Sequence, residues 1–364
     1  MNNNNNNNTK SKSSGIGHQT LDLKNYVFPA EWEEHEATWL SWPHKEESWP
    51  ERIDLIYPAY AKFIAELTKG EFVCINVKDQ EMQAFAMEHI SKAGADISKV
   101  EFYFHETNDA WCRDHGPAFL VNKNGEEPKK IIVDWGFNAW GGKYPPFELD
   151  DVIPTKIAKE KGLPVLYPGI IMEGGSVEFN GAGTVLTSKS CLLNKNRNPH
   201  LSQEEVEEFL KKYYGQKQVL WVDDGIVGDD TDGHVDDTIR FVNENTVLTV
   251  IEDNPEDDNY EILQTNLRQL EEMTLLNGEK LNIIKLPMPD PVYCDGQRLP
   301  ASYANFYIAN KSVIVPTYRC DKDELALEII QKCFPDREVV GIDSTDIIWG
   351  LGSFHCLSQQ EPLV

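Results

Sequence analysis

The residue best suited to chemistry is a cysteine close to the end of the chain. Cys356 ends the run Gly-Leu-Gly-Ser-Phe-His-Cys at residues 350–356. The Gly-x-Gly pattern predicts a tight backbone turn with little side-chain bulk around the sulphur. The thiolate is the nucleophilic form of cysteine, and near pH 7 it needs an electropositive or hydrogen-bonding environment. Cys356 is therefore a candidate nucleophile whose partners must come from elsewhere in the chain.

One candidate set of partners is the run Asp-Gly-His-Val-Asp-Asp at 232–237, which contains His234 and Asp236. On an extended chain, side chains two residues apart share one face. The imidazole could then move protons while the carboxylate binds a cation. Because Asp229 and Asp230 precede this run, a solvated acidic loop is the alternative interpretation.

A second candidate segment, Trp-Cys-Arg-Asp at 111–114, combines an aromatic ring with a carboxylate. Asp114 could pair with a planar cation while Trp111 packs on its face. The alternative is a structural pair between Arg113 and Asp114 within a turn.

The third segment is Glu173-Gly174-Gly175, which follows the apolar residues 170–172. A carboxylate next to a core segment needs a partner, and a histidine or an arginine such as Arg240 could serve. The two glycines permit close approach of a ligand or a neighbouring loop, or they mark only a β-bulge.

Two further features bear on a site. The aromatic and glycine-rich loop at 134–142 could wall a pocket for an apolar chain, or it could cap the core. His355 is adjacent to Cys356, but neighbouring side chains of an extended segment point apart, so the sequence favours His234 as proton carrier. The sequence contains no phosphate-binding loop, dinucleotide motif or metal-ligand spacing, so we expect neither a metal nor an organic cofactor.

Charge and composition exclude several classes of partner. The 364 residues include 34 basic and 60 acidic ones, a formal net charge of −26. Such a chain repels nucleic acid and anionic membrane surfaces and attracts small cations, although the charge could also serve only solubility. The seven cysteines include no CxxC pair, which is typical of free thiols in a reducing compartment. We find no secretory signal and no apolar run of about 18 residues, so we expect a cytoplasmic protein. A homo-oligomer is left open.

The order of elements predicts an α/β fold. Residues 2–8 are all asparagine, and residues 1–25 are predicted to form a disordered tail. Strands then alternate with helices, and no linker divides residues 26–364, so a single domain is expected there. Strands are predicted at 72–77, 129–135, 183–187, 246–251 and 312–316, and amphipathic helices at 54–68, 80–93, 202–213, 258–274 and 322–333.

The polar segments recur along the chain at intervals of about 50 to 70 residues. Their sequences share almost no identity, so the recurrence is one of spacing. It indicates structural repeats that each deliver one polar loop to a common centre. The recurring positions are Asp114, Glu173, His234, Asn305 and Cys356.

Together these segments resemble the agmatine deiminase family, which belongs with the guanidine-modifying enzymes that include arginine deiminases and porphyromonad-type peptidylarginine deiminases. The segments occur in the family's order and span nearly everything after residue 26. The run at 350–356 replaces the family's frequent Gly-Gly-Gly-Asn-Ile-His-Cys, and Asp237 stands where asparagine is frequent. The matching stretches are FPAEWEEHEATWLSWP (28–43), NDAWCRDHGPAF (108–119), DWGFNAWGG (134–142), EGGSVEFNGAGTVLTSKSCLLNKNRNPHLS (173–202), DDTDGHVDDTIRFV (229–242), ASYANFYIAN (301–310) and GLGSFHCLSQQEP (350–362).

The resemblance implies a five-bladed, pseudo-symmetric α/β propeller of the pentein type. It implies hydrolysis of agmatine to N-carbamoylputrescine and ammonia, through a covalent amidino-cysteine intermediate, in polyamine biosynthesis. The only partner it implies is a small cationic guanidine. The implied roles are nucleophile for Cys356, general acid and base for His234, support of His234 for Glu173, guanidinium binding for Asp114 and Asp236, and packing on the substrate for Trp111.

Two alternatives remain. The first is deimination of arginine or peptidyl-arginine, whose carboxylate would need an arginine in the pocket, and Arg240, Arg298 and Arg319 are candidates. The second is a catalytically silent protein that binds guanidines or polyamines. The complete set of cysteine, histidine and carboxylates argues against the second alternative, because a binding protein needs no nucleophile.

Overall fold

The computed structural model describes residues 21–364. Residues 1–20 of the predicted disordered tail lie outside the described residues. Residues 21–25 differ from that prediction, because Leu23–Asn25 form a 3-10 helix capped by the side chain of Asp22. Leu21 and Leu23 pack against the apolar cluster that contains Tyr26, and this packing accounts for the earlier start of ordered structure.

The strands are short and distributed along the described chain. In order they are β1 Tyr26–Val27, β2 His35–Ser41, β3 Phe72–Asn76, β4 Val100–Tyr103, β5 Ala118–Asn122, β6 Lys130–Val133, β7 Val165–Leu166, β8 Val177–Phe179, β9 Thr184–Ser188, β10 Gln218–Val222, β11 Ile239–Asn243, β12 Thr246–Ile251, β13 Asn282–Pro287, β14 Tyr293–Cys294, β15 Gln297–Arg298, β16 Tyr307–Ile308, β17 Ser312–Thr317, β18 Glu338–Asp343 and β19 Ser358–Pro362.

Helices separate many of these strands. The α-helices are α1 Ile53–Leu67, α2 Gln80–Lys92, α3 Cys112–His115, α4 Ala139–Gly142, α5 Ile153–Lys161, α6 Lys189–Leu192, α7 Gln203–Tyr214, α8 Tyr260–Glu272 and α9 Asp323–Cys333. Beyond the first 3-10 helix, further 3-10 turns span Glu46–Ser48, Ile97–Lys99, Gly174–Ser176, Val235–Asp237 and Ile347–Gly350.

The predicted elements are confirmed. Each predicted strand overlaps a strand of the structure, and each predicted helix overlaps a helix. Helix α7 shows the local reason: the Ser202 side chain accepts from the Glu205 backbone, and the Glu205 side chain accepts from the Ser202 backbone. This capping box fixes the first turn. Gly215 ends the helix in the left-handed region with φ 67°, which favours glycine. The predicted α/β class is therefore also confirmed.

Five sheets repeat one pattern of strand pairing. An antiparallel pair is followed by at least one helix and then by a strand parallel to the second strand of the pair. The repeats are β5–β6 with β7, β8–β9 with β10, β11–β12 with β13, β16–β17 with β18, and β19–β2 with β3. Strands β1 and β4 add an edge to the first and last of these sheets, while β14 and β15 form a separate hairpin.

The two ends of the described chain meet in one sheet. Strand β19 pairs antiparallel with β2, so that Ser358 lies opposite Leu40 and Glu361 opposite Ala37. Cys356, two residues before β19, is therefore held against N-terminal strands rather than on a free terminus.

A short polar turn precedes the first strand of each antiparallel pair. The turns before β5, β8 and β11 contact one another, and the first of them also contacts β19. This arrangement brings the recurring positions of the sequence to one region. The polar residues are Asp114 before β5, Glu173 before β8, His234 and Asp236 before β11, Asn305 before β16 and Cys356 before β19.

Apolar packing holds these turns in place. The largest buried cluster joins α1, β3 and the residues around the C-terminal turn, including Trp49, Trp111 and Phe354. Burial of such aromatic side chains supplies much of the free energy that fixes the turns. Within residues 21–364, no helix is both long and apolar enough to cross a membrane.

Candidate active site

Cys356 is fixed by a single asparagine. The Asn305 Oδ1 atom accepts from the backbone N–H groups of His355, at 3.1 Å, and Cys356, at 3.3 Å. The Nδ2 group of Asn305 lies 3.0 Å from the Cys356 Sγ and 2.9 Å from an oxygen of Asp237. The backbone carbonyl of Cys356 accepts from the N–H of Arg113 at 3.1 Å. Both the turn predicted from the sequence and the direction of the sulphur are thus fixed by hydrogen bonds.

The sulphur faces a cleft of about 700 Å³, counted together with the solvent space at its opening. Trp111 and Trp140 line the cleft with Asp114. The Trp111 ring packs on Trp49, with ring centroids 5.3 Å apart. Position 352 accommodates that ring because it is a glycine, where a Cβ would lie 2.6 Å from Trp111. The predicted pocket wall at 134–142 is therefore present in part, through Trp140.

The environment of Cys356 opposes ionisation of its thiol. Burial, and then the carboxylates of Asp236, Asp237 and Asp114, raise the pKa of the thiol well above its ordinary value. The nearest of these carboxylates, Asp236, has an oxygen 3.6 Å from the sulphur. A cation bound between the thiol and the carboxylates would reverse this effect, because it favours the thiolate.

Asp114, which lines the cleft, and Asp236, which lies beside the Cys356 thiol, differ in their hydrogen bonds. Asp114 accepts from the backbone of Gly175 and from the Trp140 indole, both at 2.9 Å. Burial and the nearby Asp236 raise the pKa of Asp114 well above its ordinary value. For Asp236, burial also opposes ionisation, but the hydrogen bond with His355 and the positive charges nearby together outweigh it and lower the pKa. Among the described residues, the Oδ1 atom of Asp236 has no hydrogen-bond partner. That oxygen is free to bind a cation.

Gly175 is the point at which these groups converge. A Cβ at this position would lie 2.6 Å from the His234 Nδ1, 2.9 Å from an Asp114 oxygen and 3.0 Å from an Asp236 oxygen. These separations are too short for any side chain. The close approach predicted for the double glycine is thus confirmed, in preference to the alternative that the glycines mark only a β-bulge.

His234 is buried beside the carboxylates. Its Nδ1 lies 3.7 Å from an Asp114 oxygen, and neither ring nitrogen has a hydrogen-bond partner within residues 21–364. Burial lowers the pKa of His234 to about 3, so the imidazole is neutral near pH 7 and able to accept a proton. The extended geometry considered for this segment does not occur, because Val235–Asp237 form a 3-10 turn. The turn begins directly after His234, and the imidazole and the Asp236 carboxylate nevertheless both border Gly175.

Glu173 pairs with an arginine that the sequence did not indicate. One oxygen of Glu173 accepts from the Arg197 Nε at 2.5 Å, and both side chains are fully buried. Arg240, the suggested partner, instead pairs with Glu178 and Glu31. Within the described chain the second oxygen of Glu173 has no hydrogen-bond partner. Burial raises the pKa of Glu173, although Arg197 opposes the shift.

Glu173 lies close enough to His234 to support it, but no direct hydrogen bond joins the two side chains in the structure. Ligand atoms of Glu173, His234 and Cys191 lie within 4.8 Å of one another. A second group at similar spacing consists of Asp236, Asp237 and Cys356. We assign a metal to neither group, because the Arg197 guanidinium already binds Glu173 in the first and the Asn305 amide already contacts Asp237 and the thiol in the second. Nothing in either group indicates an organic cofactor.

Sequence reasoning assigned no chemical role to three residues that contribute to this site. Arg197 lies in a matching stretch but in a run of asparagines and lysines without a catalytic pattern. Asn305 was marked only by its recurring position. Glu31, whose carboxylate lies 2.7 Å from the His355 Nε2, is the third. Its position directly after Phe28-Pro29-Ala30 could have indicated a carboxylate next to the core, which needs a partner.

Comparison with known proteins agrees with this geometry. Residues 27–362 match the family model described as Porphyromonas-type peptidyl-arginine deiminase. The agmatine deiminase of Pseudomonas aeruginosa is 37% identical over 363 residues, which cover 93% of this chain and 95% of that protein.

Solved structures show the same relationship. The structure of the agmatine deiminase of Enterococcus faecalis has a TM-score of 0.87 and 33% identity, covering 93% of this chain and 97% of that one. A cysteine-to-serine variant of the agmatine deiminase of C. jejuni, with substrate bound, has a TM-score of 0.82 and 35% identity, covering 92% and 96%. The resemblance inferred from the motifs is confirmed, and the chain belongs to the Porphyromonas-type peptidyl-arginine deiminase family.

Proposed function

We propose that this protein hydrolyses agmatine to N-carbamoylputrescine and ammonia through an amidino intermediate on Cys356. The observation that carries the proposal is the convergence of three groups around Gly175: the buried imidazole of His234, which has no hydrogen-bond partner among the described residues, and the carboxylates of Asp114 and Asp236. The Cys356 thiol lies 3.6 Å from Asp236. The names of the relatives support agmatine as the substrate. The product is a precursor for polyamine synthesis, and we place the reaction in the cytoplasm.

Substrate binding sets up the first step. Asp114 and the free oxygen of Asp236 hold the guanidinium nitrogens, and Trp111 packs on the planar cation. A guanidinium is a poor electrophile because its charge is delocalised, so orientation of its central carbon towards the sulphur matters. The bound cation lowers the cost of forming the thiolate beside the carboxylates.

The chemistry then needs one proton carrier. His234 takes the thiol proton as the sulphur adds to the guanidinium carbon, and it returns that proton to the departing nitrogen, which leaves as ammonia. The remaining amidino group is bonded to the sulphur. His234 next removes a proton from water, whose oxygen adds to the same carbon. Collapse to the carbonyl breaks the carbon–sulphur bond and releases the thiolate. The proton on His234 passes to the thiolate, and the proton of the hydroxyl passes to solvent.

Glu173 supports His234 in this scheme. An imidazole that becomes positively charged in a buried site needs a nearby anion. The carboxylate of Glu173 lies close enough to supply it after a small movement, and one of its oxygens has no partner among the described residues. Arg197 opposes protonation of this carboxylate and holds it in place.

The charges around the cleft favour agmatine over arginine. A carboxylate on the substrate would need a free cation, but Lys45 of the cleft pairs with Asp109 at 3.4 Å and Lys143 lies 3.3 Å from an oxygen of Asp230. The acidic residues Glu47, Asp109 and Asp230 line the same cleft and suit an ammonium group.

The arginines suggested for a carboxylate have other partners. Arg240 is buried against Glu31 and Glu178, Arg298 pairs with Asp257, and Arg319 pairs with Asp343 and Asp346. None of the three lines the cleft in the described part of the chain.

We also propose that the five repeated sheets are the blades of a pseudo-symmetric α/β propeller, and that residues 26–364 form one catalytic domain. The identical pairing pattern of the five sheets supports this arrangement. Each repeat also carries a short polar turn before its first strand, which supports the arrangement further.

A panel of guanidines with ammonia detection tests the substrate. We expect agmatine to have a higher kcat/KM than arginine or a peptide with C-terminal arginine. A higher value for arginine would overturn the assignment. Isothermal titration of agmatine separates the enzyme from a silent binding protein, because binding heat without ammonia release would indicate the latter.

A further inference from the structure

His355 lies between two buried carboxylates. Its Nδ1 is 2.6 Å from the Oδ2 of Asp236, and its Nε2 is 2.7 Å from an oxygen of Glu31. The imidazole is 2% exposed. Its backbone is fixed as well, because its N–H donates to Asn305. Asp236, His355 and Glu31 thus form a continuous hydrogen-bonded line that begins beside the Cys356 thiol.

This geometry determines the charge of the imidazole. A neutral imidazole has one donor nitrogen and one acceptor nitrogen, so it can donate to two carboxylates only as the imidazolium. Glu31 is balanced in turn by Arg240 at 3.0 Å and Arg113 at 3.4 Å. Arg240 pairs in addition with Glu178. Charges therefore alternate inward from Asp236.

We propose that His355 is a positioning residue, which keeps Asp236 ionised and turns the free Oδ1 of Asp236 towards the guanidinium. This inference rests on the proposed function, because it assigns Asp236 to substrate binding. It gives the histidine next to the nucleophile a task other than proton transfer. Both of its nitrogens already have partners, whereas those of His234 have none within residues 21–364.

The other charged groups around Asp236 show why one imidazolium matters. The charge of Asp236 raises the pKa values of four neighbours, and by the same repulsion these neighbours oppose ionisation of Asp236. They are Asp114, Asp229, Asp237 and the thiol of Cys356. Of the groups that favour ionisation of Asp236, His234 is neutral near pH 7 because its pKa is lowered. Arg240 has a smaller effect than His355, which contacts Asp236 directly. Without His355, the carboxylate of Asp236 would face four acidic groups, and it would take up a proton more readily.

Two substitutions separate charge from orientation. His355→Gln retains an N–H donor for Asp236 but no charge, and His355→Leu removes both. Loss of the imidazolium should raise the pKa of Asp236. As the pH is lowered, Asp236 is then protonated, and guanidinium binding is lost, at a higher pH than in the wild type. We expect His355→Gln to raise the KM for agmatine by about 10-fold to 100-fold at neutral pH, with a smaller change in kcat. The acid limb of kcat/KM should move to higher pH, and His355→Leu should show a larger increase in KM.

Binding measurements provide a readout that does not need turnover. Calorimetric titration of agmatine into Cys356→Ser, with and without His355→Gln, should show affinity lost at higher pH in the double variant. Circular dichroism checks that the variants are folded. If the variants are folded but the acid limb and the pH dependence of binding are unchanged, the inference is wrong. A loss of kcat alone would overturn it too, because it would identify His355 as a proton carrier. Failure of the wild type to hydrolyse agmatine would instead contradict the proposed function, whatever the variants do.

Discussion

The Sγ of Cys356 lies 3.6 Å from the Oδ2 of Asp236. Burial and this carboxylate together hold the thiol in its protonated form, since they raise its pKa well above the ordinary value. The same carboxylate attracts the cationic substrate. In the proposed mechanism the thiol therefore loses its proton only when a guanidinium is present to compensate the negative charge.

The pH dependence of alkylation follows from this relationship. A raised pKa means less thiolate at any given pH, so iodoacetamide should react slowly with Cys356 of the free protein near pH 7. The rate should still be rising beyond about pH 9, past the ordinary thiol pKa of about 8.5. Cys356→Ser serves as the control, because Cys294, Cys320 and Cys333 are only partly buried. A plateau below pH 8 in the Cys356-specific rate would contradict the electrostatic account.

His234→Ala should lower kcat by roughly 10² to 10⁴, the usual contribution of general acid–base catalysis. Both formation and hydrolysis of the amidino intermediate should slow, as single-turnover kinetics would show. His200→Ala, at an exposed histidine, is the control and should retain wild-type rates. Full activity of His234→Ala would transfer the proton-carrying role to another residue.

Gly175→Ala should reduce kcat/KM by about 10²-fold or more, the usual effect of a displacement of about 1 Å in an active site. The new methyl group would collide with His234, Asp114 and Asp236. Gly162→Ala is a suitable control, because a Cβ at this position, at the end of α5, would have nothing within 4 Å and Gly162 does not line the cleft. Because Gly162 has φ 65°, alanine there should lower the free energy of unfolding but leave the activity unchanged. Comparable activities of the two variants would show that the groups around Gly175 do not act together.

Arg197→Met should destabilise the fold by about 3–5 kcal/mol, because it leaves the buried Glu173 without its charged partner. Lys189→Met removes a comparable but exposed ion pair with Asp223, and it should cost no more than about 1 kcal/mol. Urea denaturation measures both. Equal free energies of unfolding for the two variants would show that Glu173 does not depend on Arg197.

Local patterns predicted much of this molecule. Apolar periodicity located α7 and α9, and the β-branched runs located β12 and β17, because these signals lie within a few neighbouring residues. The motifs around Asp114, Glu173 and Cys356 also marked their turns correctly. Those turns combine small residues with buried polar groups, a combination that core packing alone does not explain.

The partners of these residues could not be predicted in the same way. Arg197 and Arg240 are both arginines in matching stretches, and only the packing of distant turns decides which one meets Glu173. The 3-10 turn at Val235–Asp237 also escaped prediction, because alternation of side chains assumes an extended backbone. Asn305 contacts the sulphur across 51 residues of sequence, a contact that no local pattern contains.

Mass spectrometry of the protein, quenched during agmatine turnover, tests the central claim most directly. We predict an amidino group on the peptide that contains Cys356. Cys356→Ser should remain folded, yet it should show neither this adduct nor ammonia release. An adduct on Cys112 or Cys294, or turnover by Cys356→Ser, would contradict the account.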